Sequence, residues 1–512
     1  MLWIAVHLPL LSLESFASTL GAEQQGQPLA LLADHRIATL DAKAAGAGIK
    51  PGHKRATALA LAPTLVLGEA DPLRDALELQ AAGHAALAFT PSVALQEDGH
   101  GVLLEVQASL RYFGGLQRLL QRLKAALQPL GHALQVATAP TALGALLLAR
   151  WQAGFEFGRH TTDLKALAQR LDGVPVWLLG PGREHWEALQ GMGLHTLGDL
   201  RSLPRSGVAR RFSPGLLQDL DRAYGLQPQP SAWISLPPVF DSRLELFARA
   251  DTTEQVLYGA AVLLRRLVAW AQAQHARVGR FLLRMHHEPR HREGRSVAEQ
   301  STLEVALAEP SADAEHLQLL LRERLANAVL AAPTLELSLH CSQVVKGAPP
   351  NNELFPTPRS EREGFTRLIE RLQARLGREQ VQQLRLKSDH RPECSGVLAP
   401  MQPTPTESGC LGRSIAAADL RAHISRPVWL LPEPEPLPER QFKPLLDGQP
   451  LQLLSGPERI ETGWWDGALA QRDYFIAAGP DGALVWIYRD RLPTALDDDD
   501  AGSGWYLQGR FG

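Results

Sequence analysis

The strongest constraint in this chain lies between residues 237 and 345, where the order strand, helix, strand is written twice. VFDSRLELF alternates apolar and polar residues, the long stretch TTEQVLYGAAVLLRRLVAWAQAQ has helical spacing, and RFLLRMHH alternates again. STLEVALA, AEHLQLLLRERLANAVL and TLELSLHCS repeat the scheme. A period of two marks a strand with one buried face, and a period near 3.6 marks a helix with one apolar side. The doubled arrangement therefore predicts a small sheet carrying two helices.

The same reading organises the rest. Residues 1 to about 160 alternate apolar strands (WIAVHL, PLALLAD, TLVLGE, VLLEVQA) with the helical stretches LRDALELQAAGHAAL and LQRLLQRLKAALQPLG, an α/β or α+β pattern. From about 164 to 230 helices are joined by short Gly turns. KGAPPNNELFPTPRS reads as a linker, GFTRLIERLQARLG as a short amphipathic helix, and the Pro-rich residues 395 to 447 as extended chain. The last 60 or so residues, with ETGWWDG, RDYFIAAG, ALVWIYRD and GWYLQGRFG, read as a compact β module. The acidic run Asp497–Asp500 reads as a solvated turn rather than a metal site.

At 512 residues, three to five domains are expected, and 45% hydrophobic residues supply real cores. No apolar run reaches the ~18 residues that cross a bilayer. The N-terminus lacks a basic region and a cleavage site, so it reads as a buried first strand. Cys341, Cys394 and Cys410 form no CxxC pair, which indicates neither a disulfide framework nor a zinc site and fits a reducing cytosol.

Net charge is −3, so a surface uniformly coated for nucleic acid is excluded. Charge is nevertheless concentrated. Arg265, Arg266, Arg277, Arg280, Arg284, Arg290, Arg292 and Arg295 face only Glu288 and Glu293 in the same stretch, with four histidines interspersed. That excess is an electrostatic footprint for phosphate; the alternative is a solvated helix face followed by a loop. A second phosphate candidate is the hairpin Leu178-Leu179-Gly180-Pro181-Gly182. Gly180 and Gly182 leave backbone N–H groups for a DNA backbone, and MGLHTLGDL follows as a second helical unit. The alternative is an ordinary Gly turn between packed helices.

WIAVHLP, LRYFGG (Leu110–Gly115), ATAPTALGALLLAR, the hairpin, VARRFSPGLLQDLDRAYG (Val208–Gly225) and GPERIETGWWDG (Gly456–Gly467) occur in an order that resembles the Y-family DNA polymerases, and most the ImuB branch of that family. The likeness covers essentially the whole chain. It implies an α+β multidomain fold: palm and fingers over 1–163, a thumb with helix–hairpin–helix over 164–236 and a little finger over 237–345. A linker with a clamp-binding motif over 346–364, a helix and Pro-rich linker over 365–447, and a β-rich interaction module over 448–512 would follow.

Polymerase chemistry needs carboxylates that hold two Mg²⁺ ions between the primer 3′-OH and the triphosphate. On the resemblance, the first Asp falls on Ala5 and its neighbouring acid on His7, and the Asp-Glu pair falls on His100 and Gly101. The fingers' Tyr and Arg fall near Ala42 and Ala45, and a lysine near Ala142. Glu14, Glu97, Asp98 and Glu105 lie close by, and a register slip would bring Glu97 or Asp98 into the site. The expectation is a pseudo-polymerase with no metal and no cofactor. The alternatives are an active low-fidelity polymerase with relocated carboxylates and a plain DNA-binding module without clamp contact.

The implied partners are primer–template DNA, the β sliding clamp, an ImuA-like RecA-related protein and an error-prone replicative-type polymerase α subunit. Clamp peptides present Leu and Phe to an apolar pocket, and Asn351-Asn352-Glu353-Leu354-Phe355 is a divergent version with Leu354 and Phe355 as anchors. Its alternative is an apolar pair packed on the preceding domain. Gln449-Pro450-Leu451-Gln452-Leu453-Leu454 is a second candidate that reads better as a strand. Of the tail's aromatic residues, most are expected in its core and one or two on its surface.

Overall fold

An unbroken apolar run at the N-terminus forms β1, an inner strand of a sheet that organises the first third of the chain. The description rests on a computed structural model covering residues 1–96, 98–151, 160–288, 299–347, 358–401, 429–491 and 504–511, with the short stretches 291–292, 295–296 and 426–427. The chain is a mixed α and β multidomain protein, and its contacts divide into two units, Met1–Arg375 and Leu376–Gly512.

The first unit begins β1 (Trp3–His7), α1 (Leu11–Ala17), β2 (Leu29–Ala33), β3 (Arg36–Leu40), α2 (Ala42–Gly46), α3 (Arg55–Leu61), β4 (Val66–Glu69) and α4 (Pro72–Leu87). It continues β5 (Val93–Leu95), β6 (Gly101–Glu105), α5 (Leu110–Phe113), α6 (Leu116–Leu127), β7 (Gln135–Ala139) and α7 (Ala142–Trp151). Strands run in the order β5-β6-β1-β7, and Ala5 lies opposite Leu103 and Ala137 in antiparallel register. Alternation sends Trp3, Ala5, Leu103 and Ala137 to one face, under α7. Ile4, Val6, Val102 and Leu104 go to the other, under α4 and α6. The strands β3-β2-β4 form a separate small sheet whose core includes Leu32, Ile37 and Ile49. Asp41 caps α2, and Asp71 with Pro72 starts α4.

Six helices follow: α8 (Leu164–Leu171), α9 (Gly180–Glu184), α10 (Trp186–Gly191), α11 (Leu197–Ser202), α12 (Arg205–Arg211) and α13 (Pro214–Tyr224). A capping box between Thr196 and Asp199 opens α11. Their apolar sides share one core with α7 and the Ala5 face of the sheet.

The doubled motif forms β8 (Phe240–Ala250), α14 (Thr253–Ala273), β9 (Ala276–His287), the short pair β10 (His291–Arg292) and β11 (Arg295–Ser296), β12 (Gln300–Ser311), α15 (Ala314–Ala326) and β13 (Thr334–Lys346). The expected single sheet is present, in the order β12-β9-β13-β8 with α14 and α15 packed on it. The sequence reading that no apolar stretch reaches membrane-spanning length needs one correction, because the 21-residue α14 passes that test by length and composition. Two-thirds of its apolar window is buried in the structure. It is a core helix: one side packs on its own sheet, and Ala269 joins the core formed with α4 and α6. Next, α16 (Pro358–Leu376) returns to this region. Glu370 accepts hydrogen bonds from the N–H groups of Ala308 and Glu309 at 2.6 and 3.1 Å and meets His316 Nε2 at 2.9 Å.

The second unit holds the hairpin β14 (Gln382–Leu386) and β15 (Gly396–Pro400), then β16 (Trp429–Leu437), β17 (Glu439–Arg440), β18 (Lys443–Leu446), β19 (Gln449–Pro450), β20 (Gln452–Thr462), β21 (Ala470–Ala478), β22 (Leu484–Asp490) and β23 (Trp505–Arg510). Five strands form an antiparallel sheet, β16-β23-β22-β21-β20. The Pro-rich segment read as extended linker supplies its edge strand β16, where Pro432, Pro434 and Pro436 recur at every second residue. An edge accepts prolines because one side of the strand needs no donors. Gln449–Leu454 falls on β19 and the start of β20, as a strand reading requires. ETGWWDG differs: β20 stops at Thr462, and Gly463 at φ +83° and Gly467 at φ +77° turn the chain so that Trp464 and Trp465 stand outside the sheet. Arg391 braces this turn, donating to Ala468 O at 3.1 Å and pairing with Asp466 at 2.5 Å. The runs around Cys410 and Asp497–Asp500 lie outside the described residues.

Candidate functional site

The candidate catalytic face is apolar at its centre. Ala5 and Ala137 are fully buried and Leu103 nearly so, and all three pack against α7. Polar groups begin one residue further along. His7 lies opposite Gly101, and its Nδ1 meets the carbonyl of His100 at 3.0 Å. Burial, followed by the Arg150 charge, lowers the His7 pKa to about 4, so its imidazole is neutral at ordinary pH. A side chain at Gly101 would stand 3.2 Å from Leu146, which leaves little room for an acid there.

Of the nearby acids, Asp98 is ion-paired with Arg150 at the end of α7. Burial, then the Arg183 charge, lowers the Arg150 pKa to about 10. Glu97 lies outside the described residues. Glu105 accepts from the N–H groups of Leu2 and Gln107 at 3.4 and 3.2 Å. Glu14 faces away from Ala5, accepting from Ala133 N at 3.0 Å and meeting His132 Nδ1 at 3.2 Å. Among the described residues no group of three His, Cys, Asp or Glu side chains could hold a metal ion. Ala42 and Ala45 are exposed on α2, and Ala142 is buried at the start of α7.

His132 belongs to a buried charge cluster that no local sequence pattern announces. Its Nε2 meets Glu78 at 3.4 Å, and Glu78 receives Arg266 Nη2 at 2.8 Å. Arg266 also donates to Ser242 Oγ and Arg243 O at 3.0 and 3.1 Å. Burial opposes the imidazolium of His132, but Glu14 and Glu78 outweigh it and raise the pKa to about 9. Arg266 is therefore not available to phosphate, unlike the expectation from the sequence. A guanidinium on the buried side of α14 is consumed by a carboxylate on α4.

The other arginines of that stretch separate. Arg265 is half-buried, with its Nη1 3.6 Å from where a side chain on Gly131 would begin. Arg277 borders a small cavity with Glu309, His316 and Glu370. Arg280 and Arg284 stand on the uncovered face of the second sheet. There Arg280 pairs with Glu304 at 3.0 Å, and Arg243 with Glu336 at 3.7 Å. Charge on this face is mixed rather than uniformly basic.

The two hairpin glycines differ. Among the described residues nothing lies within 4 Å of the position a side chain would take at Gly180, the first residue of α9. At Gly182 a Cβ would sit 2.2 Å from Val176 O, so this glycine is there to let two backbones meet. The candidate clamp segment Asn351, Asn352, Glu353, Leu354 and Phe355 lies outside the described residues. In the tail, Tyr474 and Trp486 stack at 4.3 Å inside the module, whereas Trp464 and Trp465 are 78% and 53% exposed.

Arg111, Arg118 and Arg122, exposed around α5 and α6, are not singled out by arginine density, which is higher over residues 264–295. The signal was available as an absence: between Glu105 and Glu156 the sequence has no acidic residue.

No family model matches the chain. Among solved structures, a ternary complex of Dbh is similar at TM-score 0.38 and 15% identity, covering 67% of this chain and 98% of that one. DinB from Sulfolobus solfataricus is similar at TM-score 0.37 and 14% identity, with the same coverage. Protein ImuB of Caulobacter vibrioides, in strains NA1000 and ATCC 19089, is 28% identical over 485 residues. The match takes in 91% of this chain and 100% of the Caulobacter protein, so the similarity to Protein ImuB runs over nearly the whole chain.

Proposed function

We propose that this chain is a catalytically silent Y-family polymerase homologue that binds primer–template DNA and the sliding clamp and recruits an error-prone polymerase for damage-induced mutagenesis. The observation that carries the reading is the environment of Ala5. Where the resemblance asks for a metal-binding carboxylate, a methyl group is fully buried among Leu103, Ala137 and α7. Metal ions need hard oxygen ligands, and an apolar packed face offers none. Of the described acids near this face, Asp98 has its charge answered by Arg150 and Glu105 accepts from the backbone N–H groups of Leu2 and Gln107, which disfavours the alternative of relocated carboxylates.

The DNA grip is assigned to the segment around Gly180 and to Arg265, Arg277, Arg280 and Arg284, and the clamp contact to Leu354 and Phe355. Trp464 and Trp465 supply aromatic surface for protein partners, an ImuA-like protein and a polymerase α subunit in the ImuB pattern. Primer extension with purified full-length protein, in Mg²⁺ or Mn²⁺, tests the central point beside a gel shift on the same substrate. The expected result is a shifted primer–template that is not extended. Extension abolished by Glu97→Ala with Asp98→Ala would establish an active polymerase instead. Leu354→Ala with Phe355→Ala is expected to abolish clamp association, and unchanged association would leave a DNA-binding module whose clamp contact, if any, lies elsewhere.

A further inference from the structure

We infer that the turn between α5 and α6 is a separate binding site for single-stranded nucleic acid, on the side of the N-terminal sheet opposite Ala5. The inference rests on the DNA-binding reading above and adds a second contact to it. Three arginines lie on or beside this turn. Arg111 lies on α5, the Arg118 guanidinium covers Gly114 with Nη1 3.0 Å from where a Cβ would be, and Arg122 lies over the Phe113 ring at 5.8 Å. All three are exposed, and among the described residues none has an acidic partner within salt-bridge distance. Lys124, two residues after Arg122, is exposed on the same helix.

Such an arrangement costs free energy in the isolated protein. Arg118 and Arg122 are four residues apart on one helix, and like charges at that spacing repel. The chain as a whole is slightly acidic, so this concentration is not a general basic background. A polyanion relieves the repulsion and gains by releasing counterions.

Tyr112 selects the kind of polyanion. It stands between Arg111 and Phe113 with 80% of its surface exposed, and the Phe113 ring, edge-on at 4.9 Å, fixes its orientation. An exposed ring among cations is how single strands are held without sequence preference, the bases stacking while the phosphates meet guanidinium groups. Duplex DNA keeps its bases stacked on each other and has no use for the ring. The turn packs through Phe113, Leu119 and Leu123 on the Ile4 and Val6 face, so a strand held here leaves the Ala5 face and the helices beside it uncovered. Further along, α6 leads to Gly131 and Arg265.

The test is fluorescence anisotropy of the full-length protein with labelled oligo-dT of about 20 nucleotides and, separately, a primer–template duplex, between about 50 and 200 mM salt. Arg111→Ala, Arg118→Ala and Arg122→Ala combined should weaken oligo-dT binding about tenfold or more. The triple variant should also make the log–log salt slope shallower by about 2, at roughly 0.7 per lost phosphate contact. Primer–template affinity should change by no more than about twofold. Tyr112→Ala should cost about fivefold on oligo-dT, and Tyr112→Phe should not, because the ring stacks without its hydroxyl. Unchanged oligo-dT affinity in the triple variant, or equal loss on both substrates, overturns the inference. So does a triple variant that loses only binding to vesicles of anionic phospholipid. Wild-type protein that binds primer–template but not oligo-dT fails this inference alone, whereas wild-type protein that binds neither fails the DNA-binding reading as well.

Discussion

His132 has a carboxylate on each ring nitrogen, Glu14 on Nδ1 and Glu78 on Nε2, in a place that solvent hardly reaches. Its folded pKa, raised from the ordinary 6.5 to about 9, gives the cluster a definite pH signature. A histidine raised on folding contributes stability in full below its unfolded pKa and loses it as pH climbs through the folded one. Stability from His132 is thus complete near pH 6 and fades through about pH 9. Glu78, held well below the usual carboxylate range against its own burial by His132 and Arg266, sets the acid side: its contribution is present above its ordinary pKa and fades at strongly acid pH. Urea denaturation of His132→Gln should show a deficit of about 3 kcal/mol near pH 6 that shrinks steadily towards alkaline pH. A deficit independent of pH would mean that the ring is neutral in the native protein. None of this could be read from the sequence. His132 and Glu14 are 118 residues apart, and Arg266 and Glu78 are 188 apart. Helical periodicity said only that Arg266 lay on a helix, not that its side was the buried one.

Elements were more legible than their uses. β1, α4, the doubled motif and the tail strands follow from alternation and caps, since local chemistry decides them. QVATA was not singled out as the strand β7, because small residues carry a weak hydrophobic signal even when they alternate. The Trp464-Trp465 pair was read as strand because aromatic residues favour strands, but two positive-φ glycines on either side override that preference. In the hairpin before α9, the two glycines of the motif can be separated by experiment. Gly182→Ala should destabilise by roughly 2 kcal/mol or more, as backbone must move to admit the methyl group. Gly180→Ala should stay within about 1 kcal/mol of wild type, there being open space at that position. Equal thermal midpoints for the two variants would contradict the packing described for Gly182.

At the scale of the whole molecule, α14 decides how the first unit behaves. It fills the core of the second sheet and, through Ala269 and Arg266, also completes the one beneath α4. Two regions that share a helix cannot open independently. Arg266→Ala leaves the buried Glu78 carboxylate with His132 alone and takes away the tie between α14 and α4, so hydrogen exchange should accelerate in β1 and β9 peptides together. Faster exchange confined to β9 would show that the regions are separable. The multidomain α+β character was legible from the succession of periodicities, whereas this sharing was not, because it depends on which side of one apolar helix meets which neighbour.

The three alternate prolines of β16 have a consequence of a different kind. This strand closes one end of the five-stranded sheet, and Pro432, Pro434 and Pro436 have no N–H to offer. Glu433 and Glu435 add negative charge between them. A strand edge of this composition is a poor template for another strand, so copies of the module held close together resist fusing into a continuous sheet. A protein whose proposed work is to gather others can be crowded at one place and still come apart again.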